Sequence, residues 1–208
     1  KAKLDNTHRT DKQFKLVAEE YERIGKLAES GAVTKNWDEL YQLLVIPTSK
    51  EDLSVLDESL RAISASTFPL KRMMFVLATE GRFQELGRAN AAVLKEKYGH
   101  LFHTFLVTEH PADIPGEAKV KGANVTYALR QAQQKIDELG IAYENVVASI
   151  FDADTQPSRE YFTCLAYHYL SSDKPTRRSY QPIPMYDNNL DDTPHLMRVV
   201  AVGHSFWH

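Results

Sequence analysis

Two carboxylates one residue apart, Asp152 and Asp154, follow an apolar stretch that ends at Phe151. A β-strand rises about 3.3 Å per residue and its side chains alternate between faces, so in extended backbone these carboxylates lie on one face about 7 Å apart. Like charges at this spacing repel each other unless a cation lies nearby. Mg²⁺ is typically held by one or two carboxylates together with phosphate oxygens of a substrate. The pair therefore predicts metal-assisted chemistry on a phosphorylated substrate.

Apolar strands alternate with amphipathic helices upstream of this pair. The predicted strands cover residues 43–46, 73–78, 102–107 and 146–151, and the predicted helices between them lie around residues 55–63, 83–98 and 120–139. Continuous apolar strands separated by helices are typical of βαβ units and a parallel sheet. The fold class is therefore α/β, a Rossmann-like and mostly parallel sheet with helices on both faces.

The segments on either side of this alternation follow a different pattern. Apolar residues within 1–36 recur at helical spacing, which favours either a leading helix that packs on the domain or a solvated linker helix. Beyond Asp154 a helix is predicted over 158–171, with Cys164 in it as a buried small side chain. We divide the chain into an N-terminal helical extension, an α/β domain and an incomplete second layer, residues 1–39, 40–155 and 156–208.

The composition narrows the classes of protein that this chain can represent. Its 208 residues carry a net charge of −3, which gives no basic footprint for nucleic acid. The single cysteine excludes an internal disulfide and fits a reducing compartment. The sequence contains no apolar run of the roughly 18 residues that a membrane span needs, and no signal peptide opens it.

Polar residues follow three of the four predicted strands. In an open α/β sheet ligands bind beyond the carboxyl ends of the strands, where residues 47–52, 79–82 and 152–154 would converge. The first of these segments also fits a helix start capped by Thr48 or Ser49, and the second fits an ordinary turn. Residues 115–124 place lysines at a helix start, which suits either an anion or a solvated helix entry.

Four segments in this order resemble the motifs of glycosyltransferase family 2. They are Val45-Ile46-Pro47-Thr48-Ser49-Lys50-Glu51-Asp52, Leu77-Ala78-Thr79-Glu80-Gly81, Gly116-Glu117-Ala118-Lys119-Val120-Lys121-Gly122-Ala123-Asn124 and Phe151-Asp152-Ala153-Asp154. The resemblance covers residues 40–190 and implies a GT-A fold with inverting transfer of a sugar from a nucleotide-diphosphate sugar. UDP-sugar is favoured over GDP-sugar, and the implied acceptor is a glycan or a lipid-linked molecule.

The resemblance also implies roles for the residues at the strand ends. Pro47, Thr48 and Glu51 would hold the nucleoside, and Glu80 stands where the family often has an aspartate facing the base. Lys121 would lie near the sugar-nucleotide. In this interpretation residues 40–155 are the donor-binding domain, and residues 156–208 begin an acceptor-side region that is truncated.

The metal site implied by the resemblance uses the carboxylate pair. Asp154 would coordinate Mg²⁺ or Mn²⁺ bound to the donor diphosphate, and Asp152 would face the ribose or sugar as a second residue of the metal site. The catalytic general base stays unassigned; Asp187, Asp191 and Asp192 are candidates that also fit ordinary turn residues. We expect the chain to be the donor-binding part of a longer enzyme at the cytoplasmic face of a membrane, attached through segments outside this sequence.

The sequence leaves three other interpretations open. The chain could be a fragment that binds a nucleotide-sugar without turning it over. It could instead be a haloacid-dehalogenase-like phosphatase with Asp152 as nucleophile, although that motif normally follows the first strand of its domain. A nucleotidyltransferase shares metal carboxylates and a similar sheet, but usually has a glycine-rich loop after its first strand, and residues 47–50 contain no glycine.

Overall fold

The structure is a computed structural model that describes residues 11–30 and 36–182. The chain divides into two compact units, residues 1–176 and 177–208. The first unit contains every helix and strand named below. Of the second unit, the description covers residues 177–182.

A four-stranded sheet forms the centre of the first unit. Its strands are β1 (Tyr41–Pro47), β2 (Met73–Glu80), β3 (Thr104–His110) and β4 (Val146–Ile150). All pairings are parallel and the strand order is β3-β2-β1-β4. The predicted α/β fold with a parallel sheet is confirmed. Because β4 lies on the far side of β1 from β2, the direction of strand addition reverses between β1 and β4.

Five helices accompany the sheet in the described residues. They are α1 (Asp11–Glu29), α2 (Leu53–Ser64), α3 (Gln84–Tyr98), α4 (Lys121–Glu138) and α5 (Tyr161–Leu170). Each lies where the apolar periodicity predicts a helix. Within the described residues, no helix combines the length and the apolar character needed to cross a lipid bilayer.

Helices cover both faces of the sheet. On one face Ala128, Ala132 and Ile136 of α4 pack against Val45 and Val76. Successive strand residues point to opposite faces of the sheet. On the face opposite α4, Gly87 of α3 packs against Thr79 of β2. Crossovers between parallel strands are right-handed in nearly all proteins. When the chain returns from β3 past β1 to β4, a right-handed crossover places α4 on the face opposite α2 and α3.

Helix α5 lies on the same face as α2 and α3, beneath β1 and β4. The Gln42 side chain of β1 donates to the Phe162 carbonyl, and the ring of Phe151 contacts the ring of Phe162. The buried residues of α5 are Phe162, Leu165, Ala166 and Tyr169. Cys164 falls between them on the opposite side of the helix and is exposed, so the prediction of a buried cysteine is wrong.

Helix α1 contacts the domain through polar groups. Arg23 donates to the Ser171 carbonyl at the end of α5, and the Tyr167 hydroxyl donates to Glu20. The apolar residues Tyr21 and Ile24 are 68% and 37% exposed. The helix itself is confirmed; it contacts α5 through polar side chains, while these two apolar side chains are exposed.

Candidate functional site

The Asp152-Ala153-Asp154 segment forms a turn immediately beyond β4. The Thr155 N–H donates to the Asp152 carbonyl at 3.0 Å, so the two aspartates lie after the strand rather than in it. Ala153 is buried, and its carbonyl accepts a 2.7 Å hydrogen bond from the buried Ser59 hydroxyl of α2. Both aspartates are exposed. The turn is therefore anchored through Ala153 while the carboxylates face solvent.

Lys121 lies opposite this turn. It is the first residue of α4, and its ammonium group forms an ion pair with the Asp152 carboxylate. The two side chains are 53% and 70% exposed, which places the pair in the range of surface ion pairs that contribute between 0 and about 1 kcal/mol to stability. We call Lys121, Asp152 and Asp154 the switch-point cluster, because β1 and β4 flank the point where strand order reverses.

Asn124 anchors the start of α4 to the sheet. This side chain is 1% exposed, and its amide donates to the Ala78 carbonyl at 2.8 Å. The same carbonyl accepts the Thr48 N–H at 2.9 Å, so α4 and the β1–α2 loop share one attachment point on β2. This positioning role was not predicted, although Asn124 is the last residue of the third motif, residues 116–124, that resembles the glycosyltransferase family.

Two of the predicted nucleoside-binding residues, Thr48 and Glu51, contact each other in the β1–α2 loop. Pro47 ends β1, and the buried Thr48 donates its hydroxyl to Glu51 Oε2 at 2.9 Å. The same oxygen accepts the Ser49 N–H at 2.5 Å. Helix α2 has Asp52 at its N-cap, without a side-chain capping bond. Capping by Thr48 or Ser49 is therefore wrong, and Glu51 instead closes the turn.

These contacts favour the ionised form of Glu51. Partial burial acts to raise its pKa, but the hydrogen bonds from the Ser49 and Lys50 backbone and from the Thr48 hydroxyl outweigh it. The pKa of Glu51 therefore lies below the usual value for a glutamate.

Glu80 lies at the carboxyl end of β2 in a second polar group. Its side chain is 6% exposed, and its Oε2 lies 3.4 Å from Arg82 Nη2 and 3.6 Å from His110 Nδ1. His110 is the last residue of β3 and pairs in register with Glu80. The same histidine lies 2.8 Å from Glu117 through its Nε2. We call Glu80, Arg82, His110 and Glu117 the histidine cluster.

The histidine cluster lines a small pocket at the ends of β2 and β3, together with Ile114 and Lys119. Gly81 makes this arrangement possible, since a Cβ at that position would lie 2.8 Å from the His110 carbonyl oxygen. Of these residues, Glu80 was predicted from the sequence and His110 was not. The predicted third strand covered residues 102–107 and therefore did not include His110, which is the last residue of β3. The signal that could have revealed His110 was a polar residue at the end of a third strand.

The carboxylates of the switch-point cluster fit a hard divalent cation only in part. Carboxylate oxygens are the ligands that Mg²⁺ and Mn²⁺ prefer, and both aspartates are exposed beside a lysine that suits an anion. Within residues 11–30 and 36–182, however, no three His, Cys, Asp or Glu side chains converge as a metal site would require. A metal here would therefore need oxygens from a ligand such as a diphosphate.

The three candidate base residues Asp187, Asp191 and Asp192 lie outside the described residues. The described site residues thus fall into a switch-point cluster, a histidine cluster and the Thr48–Glu51 turn, all beyond the carboxyl ends of the strands. Neither a scan against protein families nor a search of curated proteins finds a match to this chain.

Proposed function

We propose that this chain is the donor-binding part of an inverting glycosyltransferase with a GT-A fold. Its donor would be a nucleotide-diphosphate sugar, with UDP-sugar favoured over GDP-sugar, and its acceptor a hydroxyl of a glycan or a lipid-linked molecule. The motifs at residues 45–52, 77–81, 116–124 and 151–154 support this proposal. The observation that carries it is the position of Lys121 and the aspartate turn at the sheet's switch point, where α/β proteins bind ligands.

The charges at this point suit a diphosphate. Lys121 supplies a cation, and as the first residue of α4 it stands at the positive end of the helix dipole. The first backbone N–H groups of a helix have no partner within the helix and can donate to phosphate oxygens. Asp154, with Asp152 beside it, would hold Mg²⁺ or Mn²⁺. When bound, such a metal acts as a Lewis acid that stabilises the negative charge of the leaving diphosphate.

The proposed transfer exchanges one bond at the anomeric carbon for another. The bond from this carbon to the diphosphate oxygen breaks, and the electron pair leaves with the nucleoside diphosphate. The acceptor oxygen forms the new bond from the opposite face, and its proton passes to a general base. Lys121 would contribute by keeping the diphosphate in place, and the Thr48–Glu51 turn would shape the nucleoside side of the site.

Calorimetry with UDP and GDP, each with and without Mn²⁺, tests the proposal. We expect UDP to bind only weakly without metal and at least tenfold more tightly with it. Asp154→Asn should remove this metal-dependent gain, because the side chain that would bind the metal loses its negative charge. Lys121→Met should weaken UDP binding on the order of tenfold, as expected when a charged hydrogen-bonding partner is lost.

Asp38→Asn is the matched control for charge. This exposed aspartate lies in the short helical turn before β1, at the amino ends of the strands and away from the proposed site. Its substitution should therefore leave UDP binding unchanged. Absence of binding to both nucleotides, with and without Mn²⁺, would overturn the proposal. Release of phosphate from p-nitrophenyl phosphate that disappears in Asp152→Asn would replace it with a phosphatase function.

A further inference from the structure

The histidine cluster joins two elements that are separate in the chain, the end of β2 and the loop of residues 111–120 between β3 and α4. We propose that His110 is a positioning residue that ties this β3–α4 loop to the sheet and, together with the Asn124 anchor, sets where Lys121 stands opposite Asp152. Its effect on donor binding rests on the proposed function. The tether itself can be tested without any ligand.

His110 is well placed to act as a fixed point. Its side chain is 7% exposed, and its ring contacts Tyr127 of α4 edge to face, with 5.5 Å between ring centroids. The end of β2 lies against the same residue, because Glu80 pairs with it in register and Gly81 allows close approach to its carbonyl. The imidazole therefore has a defined position before any contact from the loop is considered.

Glu117 supplies the contact from the loop. A carboxylate can only accept, so the 2.8 Å separation requires His110 Nε2–H to donate to Glu117 Oε2. The other ion pair of this loop, between Asp113 and Lys119, joins two residues of the loop itself that are 85% and 58% exposed. That pair does not connect the loop to the sheet, so the Glu117 contact is the side-chain link that does.

The link continues from Glu117 to Lys121 over a short, hydrogen-bonded stretch. The Val120 N–H donates to the Ala118 carbonyl at 2.9 Å, and the Ala123 N–H donates to the Val120 carbonyl at 3.0 Å. These bonds transmit the position of Glu117 to the first turn of α4. Release of Glu117 would free the loop and widen the positions that the Lys121 side chain can sample.

Two pairs of substitutions separate this link from the general packing of the ring. In His110→Gln the side-chain amide takes the place of Nε2 and can still donate to Glu117. In His110→Asn the amide takes the place of Nδ1 and does not reach Glu117. Both variants lose the ring contact with Tyr127. On the partner side, Glu117→Gln keeps an acceptor and Glu117→Ala removes it.

Hydrogen exchange of the Val120 and Ala123 amides in the ligand-free protein is the first measurement. We expect exchange to be faster on the order of tenfold in His110→Asn and Glu117→Ala than in His110→Gln and Glu117→Gln, because loss of this partly buried hydrogen bond lowers the local opening free energy. Equal exchange in His110→Asn and His110→Gln would overturn the proposal. A melting temperature for each variant separates local opening from global loss of stability.

UDP binding in the presence of Mn²⁺ is the second measurement. His110→Asn should bind UDP several-fold more weakly than His110→Gln, and this difference should vanish in a Lys121→Met background if His110 acts through Lys121. A difference that persists in that background would overturn the proposed route. If the unmodified protein binds no UDP, the proposed function fails, while amide exchange still decides whether His110 tethers the loop.

Discussion

Glu51 illustrates how a single residue at the candidate site has a structural role that its sequence motif does not reveal. The resemblance implies that it holds the nucleoside, and in the structure its Oε2 accepts from the Thr48 hydroxyl and the Ser49 N–H. A carboxylate with these donors organises the loop that follows β1. Its contribution to a nucleoside site would therefore include the shape of the turn, which a sequence motif does not reveal.

We predict that Thr48→Val raises the pKa of Glu51 toward the usual glutamate value, because one donor to its ionised form is lost. In the folded protein this pKa is lowered, so the associated stabilisation is present above the unfolded-state pKa and is lost as pH falls through the folded value. Thr48→Val should therefore be less stable than the unmodified protein at pH 7. This difference should shrink below about pH 4.

Carboxyl titration by NMR, combined with denaturation at pH 7 and pH 3, measures both effects. Ser49→Ala is the control, because it keeps the backbone N–H that donates to Glu51. An unchanged Glu51 pKa in Thr48→Val would show that the hydroxyl contributes nothing to the turn.

Among the secondary-structure elements, α4 has the greatest influence on the candidate site. It covers one face of the sheet through Ala128, Ala132 and Ile136, and its first residue faces the aspartate turn. Apolar periodicity was enough to predict the helix over residues 120–139. The attachment of its first turn to β2 through Asn124 depends on a contact across 46 residues, which periodicity does not report.

We predict that Asn124→Ala lowers the free energy of unfolding by about 1–3 kcal/mol, because a buried hydrogen bond is lost. Asn124→Asp should cost more, since it places a buried carboxylate against the Ala78 carbonyl oxygen. Urea denaturation measures both changes. Thr126→Ala in the same helix is the control and should change stability by less than about 0.5 kcal/mol, because its hydroxyl bonds only to the Gly122 carbonyl at an exposed position.

At the scale of the whole molecule, the proposed binding of a metal and a diphosphate at the switch-point cluster would stabilise the folded protein. Two exposed carboxylates beside a lysine provide too few ligands for a tightly held metal, so metal and diphosphate should bind together. A ligand at a hundred times its dissociation constant raises the free energy of unfolding by about 2.7 kcal/mol. UDP with Mn²⁺ at that excess should therefore raise the melting temperature by about 5–11 °C.

Thermal unfolding monitored by circular dichroism checks this prediction. Mn²⁺ alone and UDP alone should each produce a much smaller shift, and Asp154→Asn should abolish the combined shift. Equal stabilisation by Mn²⁺ alone would mean that the protein supplies a complete metal site without the diphosphate.

Local patterns in the sequence were sufficient for the elements and their order. The four strands, the helices between them and the position of Asp152 and Asp154 beyond the fourth strand follow from apolar periodicity, which each segment carries by itself. The position of residues 47–52, 79–82 and 152–154 at the carboxyl ends of the strands also followed, because the sheet is parallel.

The partners of these residues were decided by tertiary structure. Strand order and register bring Glu80 against His110, the return of α4 brings Lys121 to Asp152, and α2 supplies Ser59 beneath Ala153. Each contact joins residues that are far apart in the chain. Periodicity reports which face of an element is buried but not which neighbour covers it. Residue types were therefore enough to suggest candidate site residues, whereas the contacts between these residues depended on how the crossovers fold back on the sheet.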